Sequence, residues 1–142
     1  MSLMSFVLIL AGIWKSRKME AYWDNEDLCK RMPNYWVSLG FGLHIGWAIE
    51  GAIGSTFKID ASYLSPNVNM ANTLEAATKD YGTPLLFTGD LVFYFSDKVK
   101  TQIRQIDSVK IGKFSYDFYT IDLNLDRIQL ENQDQQNFSM MW

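Results

Sequence analysis

The sequence predicts an α+β domain with a mostly antiparallel sheet, and three observations carry that prediction. Helical and alternating runs succeed one another as helix, strand, strand, helix, strand, helix, strand, strand, an order that does not build a wound parallel sheet. A mid-chain run is bracketed as helices are, with Ser65-Pro66 before it and Gly82 with Pro84 after it. Two alternating segments near the C-terminus flank Gly112 and read as a hairpin.

Taken in order, residues 2–19 read as one helix, apolar at first and basic in the last turn, where cations suit the helix dipole. Residues 20–36 are a polar and aromatic connector with a short helix starting near Asn25. Residues 37–50 (VSLGFGLHIGWAIE) alternate enough for a strand, and glycines 40, 42 and 46 within it mark close approach of another backbone or a ligand. Residues 51–54 (GAIG) read as the turn, and residues 55–61 as a returning segment. A helix follows from Pro66, then a short buried strand over 84–88 and a short helix over 89–95. Residues 103–111 and 114–123 form the hairpin. Nothing repeats internally and no linker divides the chain. One domain is therefore expected over residues 1–123, with a polar, flexible tail over 124–142 whose apolar end (FSMMW) is a docking element.

Composition excludes several classes of function. A formal net charge of −3 offers no basic field for nucleic acid. One cysteine, Cys29, excludes an internal disulfide, and a single histidine, His44, without a Cys-x-x-Cys spacing leaves no zinc pattern. Any Ser-His-Asp or Cys-His arrangement would have to run through His44, and no nucleophile-elbow motif accompanies it. The apolar run over residues 3–14 is too short to span a bilayer, which takes about twenty residues, and its positive charges follow it instead of preceding it as in a secretory signal. A buried helix is the favoured reading of that run; membrane contact by residues 3–14 is the alternative.

The densest pattern lies in residues 42–82. GLHIG at 42–46, GAIG at 51–54, KIDAS at 58–62 and VNMANTLE at 68–75 follow one another in order. These resemble, in order and spacing, the class III adenylate and guanylate cyclase patterns G-[IL]-H-x-G, G-x-[IL]-G, R-x-D-Y-T and V-N-x-A-x-R-[LM]-E. Residues 104–109 and the strand around Tyr119 are similar to that family's closing hairpin, so the resemblance covers about residues 2–123. It implies the C-terminal half of a ferredoxin-like nucleotidyl cyclase domain. In that family two domains pair head to tail, and a nucleoside triphosphate in the groove between them becomes a 3′,5′-cyclic nucleotide with loss of pyrophosphate.

The resemblance assigns roles residue by residue. Asn69 matches the ribose-orienting asparagine; a helix-start cap is the alternative for this residue. Ser62 falls at the base-recognition position, where a hydroxyl can accept from adenine or donate to guanine and so does not choose between them. A loop hydroxyl bonding its own backbone is the alternative there. Thr73 stands where the family places arginine, four residues after Asn69 and on the same helix face. Threonine cannot carry the charge that the phosphoryl transition state needs, and losing one such group costs on the order of 3 kcal/mol in comparable sites. The triphosphate-contacting lysine normally sits in V-K-G; here residues 111–113 read IGK, and Lys113 is the candidate substitute. If residues 112 and 113 lie in a strand, that one-place swap points the lysine to the other face. His44 is expected to be a packed, hydrogen-bonded residue, Asp60 to fix a loop, and Gly46, Gly51 and Gly54 to let backbones approach at the hairpin.

The family's metal-binding aspartates lie on F-x-D-I-x-x-F-T and G-D-x-F motifs of the other half, and neither motif occurs in this sequence. No metal residue is therefore assigned, and no cofactor is expected in this chain alone; two Mg or Mn ions enter only if a partner supplies the aspartates. The chain is then an excerpt, a product completed by a partner, or a remnant used in assembly. Without the other half its sheet is expected to expose a long edge and an apolar face. The favoured reading is a cyclase-homology module, catalytically incompetent alone, that serves in protein assembly. The alternative is a partner-completed cyclase. The expected partner is a second cyclase-type domain or another protein covering the incomplete sheet, and the expected location is intracellular, on the cytoplasmic side, in association with a membrane or a complex.

Overall fold

A computed structural model describes residues 2–33, 35 and 37–130, with Ser2 and Glu20 described in the backbone alone. The chain divides into two compact units, Met1–Leu39 with Leu123–Trp142, and Gly40–Asp122.

The first unit is helical. The expected single helix over residues 2–19 is broken into α1 (Ser2–Trp14) and α2 (Arg17–Trp23). The break follows from local bonding: the Lys15 amide closes α1 on the Ala11 carbonyl at 3.0 Å, and the Ser16 carbonyl accepts from Met19 to start the next turn. Leu3, Val7, Leu10 and Ala11, spaced as one helical stripe, are buried. Among the described residues no helix is long and apolar enough to cross a membrane. Helix α3 (Glu26–Arg31) starts where expected, because the Asn25 side chain accepts from the amides of Asp27 and Leu28. Residues of the expected tail nearest the fold are tied down. Trp14 Nε1 donates to Asp126 Oδ1 at 2.9 Å, and Lys15 Nζ donates to the carbonyls of Asp126 and Ile128 around a 3-10 turn at Leu125–Arg127. The rest of that tail, residues 131–142 with the apolar end, lies outside the described residues.

The second unit holds two sheets. Strands β1 (Phe41–Leu43), β4 (Leu85–Thr88), β5 (Ile103–Ile111) and β6 (Phe114–Ile121) form a four-stranded sheet in the order β1-β4-β6-β5, with only the β1–β4 pair parallel. Strands β2 (Ile49–Gly54) and β3 (Ile59–Leu64) pair with each other as a separate antiparallel ribbon. Helix α4 (Pro66–Asp80) lays Met70 and Leu74 against Leu86 and Phe118 of the larger sheet, with Ile106, Val109, Tyr116 and Tyr81 around them. Pro66 sits in its first turn, and Ser65 Oγ caps it by accepting from the Val68 amide at 3.1 Å. At its other end Gly82 takes a positive φ of 62°. The Thr83 amide then reaches back to the Thr78 carbonyl, and the Gly82 amide to Lys79.

The expected continuous strand over 37–50 is not formed. Gly42 keeps the chain against α4: a Cβ there would lie 2.2 Å from the Ala71 carbonyl oxygen and 2.4 Å from the Glu75 nitrogen. After Leu43 the chain leaves the sheet, because His44 turns to side-chain partners and Gly46 lies where a Cβ would strike the Asn67 amide. The predicted GAIG turn is part of β2. The reversal comes later, where the Ser55 amide bonds the Lys58 carbonyl at 2.8 Å. Gly54 does allow a close backbone approach there, at the Lys58 carbonyl, whereas Gly51 faces open space. The expected helix over 89–95 is shorter, α5 (Gly89–Val92), and a further single turn, α6 (Asp97–Lys100), follows it without a clear signal in the sequence.

Candidate functional site

Helix α4 and the segments on either side of it carry the candidate positions. Asn69 and Thr73 lie one turn apart on the exposed side of α4, opposite the buried Met70, Leu74 and Thr78. The burial of those three residues therefore fixes which way the 69/73 face points. The Asn69 side chain makes no hydrogen bond among the described residues. Thr73 Oγ1 instead donates back along the helix to the Asn69 carbonyl at 2.9 Å. The hydroxyl at the expected arginine position is thus spent on the backbone, and it brings no charge.

Ser62 lies in β3, opposite Gly51 of β2, and is half-buried. It belongs to the ribbon and not to the larger sheet. Lys113 occupies the two-residue turn between Ile111 and Phe114, beside Gly112 at φ 63°. The exchange of glycine and lysine at 112 and 113 therefore does not turn the side chain to the other face of a strand, because both residues belong to the turn. The structure joins Asn69 and Thr73 on one face and leaves Ser62 and Lys113 on two different hairpins.

Sequence reasoning missed the polar chain that surrounds His44. His44 Nδ1 lies 2.7 Å from Thr88 Oγ1, and its Nε2 lies 3.2 Å from Asn67 Oδ1. Asn67 Nδ2 in turn donates to the Trp47 carbonyl at 2.8 Å. Because that carbonyl can only accept, the Asn67 oxygen must face the imidazole, so Nε2 carries the hydrogen. In the Nε2–H tautomer, Nδ1 is left to accept from the fully buried Thr88 hydroxyl. The expectation of a packed, bonded histidine holds, with Tyr116 meeting the ring edge-on at 6.2 Å. Asn67 follows Ser65 and Pro66 and reads in sequence as a first-turn helix residue; nothing local signals that it reaches back twenty positions to Trp47.

Asp60 in β3 pairs with Lys58, the last residue of the ribbon turn, at 3.1 Å on the exposed surface. Tyr81 at the end of α4 donates to Asp107 Oδ2 at 2.5 Å. That bond raises the tyrosine pKa above its ordinary value and lowers the Asp107 carboxyl below its own, with the Ser108 amide helping to hold the carboxylate. A groove of about 610 Å³ opens between α5 and the start of β6, lined by Phe93, Phe114, Tyr119, Asp90 and Lys100. It contains none of the four sequence-predicted residues. Among the described residues no three His, Cys, Asp or Glu side chains converge as metal ligands.

No protein-family model matches the chain. An adenylate cyclase of Anabaena cylindrica is 37% identical over 76 residues, which cover 53% of this chain and 15% of that protein. Adenylate cyclase 1 of Rhizobium meliloti (strain 1021) is 32% identical over 81 residues, 57% of this chain and 12% of that protein. Over part of its length this chain is similar to adenylate cyclases. The chain spans less than a sixth of the length of either relative. Two solved structures of bacterial light-regulated adenylyl cyclases overlay it with a TM-score of 0.49, at 29% and 26% identity. They cover 58% and 71% of this chain and 24% and 28% of theirs.

Proposed function

We propose that the chain is a cyclase-like module that works inside a protein assembly and does not turn over nucleotide by itself. The observation that carries this reading is the β2–β3 ribbon. Ile49, Ile53, Ile59, Tyr63 and Leu64 are exposed along it, and Phe57 at its tip is 99% exposed. The register puts Ile49, Ile53 and Leu64 on one face of the ribbon and Ile59 and Tyr63 on the other. An isolated two-stranded ribbon is marginal in water, and exposed apolar side chains on both faces support cover by a partner. The partner proposed is a second cyclase-type domain or another protein that covers this surface, on the cytoplasmic side of the cell and in a membrane- or complex-associated assembly. Thr73 supports catalytic incompetence, since its hydroxyl is bonded to the backbone where a cation would be needed. Two Mg or Mn ions would enter only if a partner supplies the aspartates that hold them.

A second reading is supported by the relatives named adenylate cyclase and by Asn69, whose side chain is exposed on α4 and makes no hydrogen bond among the described residues. In that reading the chain contributes Asn69, Ser62 and Lys113 to a site completed by a partner. The product would be a 3′,5′-cyclic nucleotide with pyrophosphate leaving.

The deciding experiment incubates the purified chain with ATP or GTP and Mg or Mn, alone and with a cyclase half that carries the two aspartates. No cyclic nucleotide in either mixture is the expected result. Formation with the added half would overturn the first reading in favour of the second. Thr73→Arg that fails to raise activity in the same mixture would place the defect outside α4.

A further inference from the structure

We propose that His44 is a positioning residue: acting through Asn67, it sets the first turn of α4, and with it Asn69, relative to the base of the ribbon. The proposal deepens the nucleotide-facing reading of Asn69 and rests on it for its functional meaning, but its geometry stands apart. Three elements meet in one chain of hydrogen bonds. The fully buried Thr88 hydroxyl at the end of β4 donates to Nδ1, Nε2 donates to Asn67 Oδ1, and Asn67 Nδ2 donates to the Trp47 carbonyl. Every donor in the series has one acceptor and every acceptor one donor, so the chain runs in one direction and fixes both the tautomer and the amide orientation.

The consequences reach both neighbours of the imidazole. Asn67 lies in the first turn of α4, two residues before Asn69, whose own amide is bonded only weakly, at 3.3 Å, to Ser65. Trp47 lies two residues before β2. Its carbonyl is joined to a residue three positions after β3, so the two feet of the ribbon are held together. Gly46 leaves the space that Asn67 fills, because a Cβ there would come within 2.2 Å of the Asn67 amide carbon. Displacement of the ribbon by a partner would therefore pull on Asn67, and through it on the turn that carries Asn69.

The test uses the intact chain and nuclear magnetic resonance. Long-range nitrogen–proton correlation of wild type is expected to show His44 as the Nε2–H tautomer; an Nδ1–H tautomer would overturn the proposal without any variant. In Asn67→Ala, amide exchange at Val68 and Asn69 is expected to quicken by up to about ten-fold, as loss of one net hydrogen bond allows, while Tyr119 in the sheet stays unchanged. Unchanged exchange at both positions would also sink the idea. If the variant does not fold, the wild-type tautomer decides. Adding a non-hydrolysable ATP analogue separates the two readings. Absence of any shift at Asn69, with tautomer and exchange as expected, removes the nucleotide-facing role and leaves the positioning chain standing.

Discussion

Gly42 and Gly82 are required for opposite reasons, one by space and one by backbone angle. At Gly42 an added methyl would meet the carbonyl and amide of α4 itself, which cannot swing aside as a side-chain tip can. Gly42→Ala should therefore cost about 1–3 kcal/mol, the range for overpacking a close-fitted contact, read as a lower midpoint in thermal or urea denaturation. Gly82 has open space around it, so Gly82→Ala meets no clash and is strained only by its φ of 62°. That strain amounts to about 1–2 kcal/mol, and Gly82→Asn should recover much of it, because asparagine tolerates the left-handed region. A midpoint for Gly82→Asn no better than for Gly82→Ala would show that the angle is not what selects glycine there. The sequence could suggest close approach at residues 40–46 from the glycines alone. It could not say that the neighbour was α4 at Gly42 and the Asn67 side chain at Gly46, because both contacts depend on how distant segments meet.

Among the elements, α4 is the most legible in the sequence and the ribbon the least. Helix α4 carries its own start and stop signals in Ser65, Pro66 and Gly82, so local chemistry sets its ends. The β5–β6 hairpin is equally readable, because Gly112 supplies the positive φ that a two-residue turn needs. The ribbon lies several residues away from where alternation puts it. Its turn is made by Ser55 and Lys58 backbone groups and not by the glycines of GAIG, and alternation alone does not say where a strand leaves one sheet to join another. The expected long edge is found on one side of the sheet only, at β5. The edge strand β1 is three residues long, whereas the nine-residue edge β5 carries Arg104, Asp107 and Lys110 and a register irregularity between Gln105 and Asp107, features that discourage edge pairing. Asp107 has a second use, as the acceptor from Tyr81 that ties the end of α4 to β5. Its lowered carboxyl pKa means the contribution is present above the ordinary value of 3.8 and is lost as pH falls through the folded value. The raised Tyr81 pKa means it is present below 10.0 and is lost as pH rises through the folded value. The difference in melting temperature between wild type and Tyr81→Phe should thus be greatest between those limits and shrink at both ends; a difference flat in pH would show that the bond contributes nothing.

For the whole molecule, the candidate positions sit on parts that differ in how firmly they are held. Asn69 and Thr73 ride on a helix packed into the core of the second unit, Ser62 on a ribbon with little cover, and Lys113 on a turn. If the ribbon is the assembly surface, Phe57→Ser with Ile59→Thr should reduce self-association or partner capture in sedimentation velocity while leaving the far-ultraviolet circular dichroism and melting of the larger sheet in place. Unchanged association would move the interface elsewhere, and the aromatic groove at Phe93 and Phe114 would be the next place to look. The hydrogen bond from Asn67 to Trp47 bears on the same question from another side. By holding the ribbon's feet together it makes the intervening residues a loop closed without a covalent link, so opening there is confined. A protease cut between Ser55 and Lys58 should leave the two fragments associated and the larger sheet intact. The same four-residue turn is the place where a reporter peptide or small domain could be inserted with the least disturbance to α4.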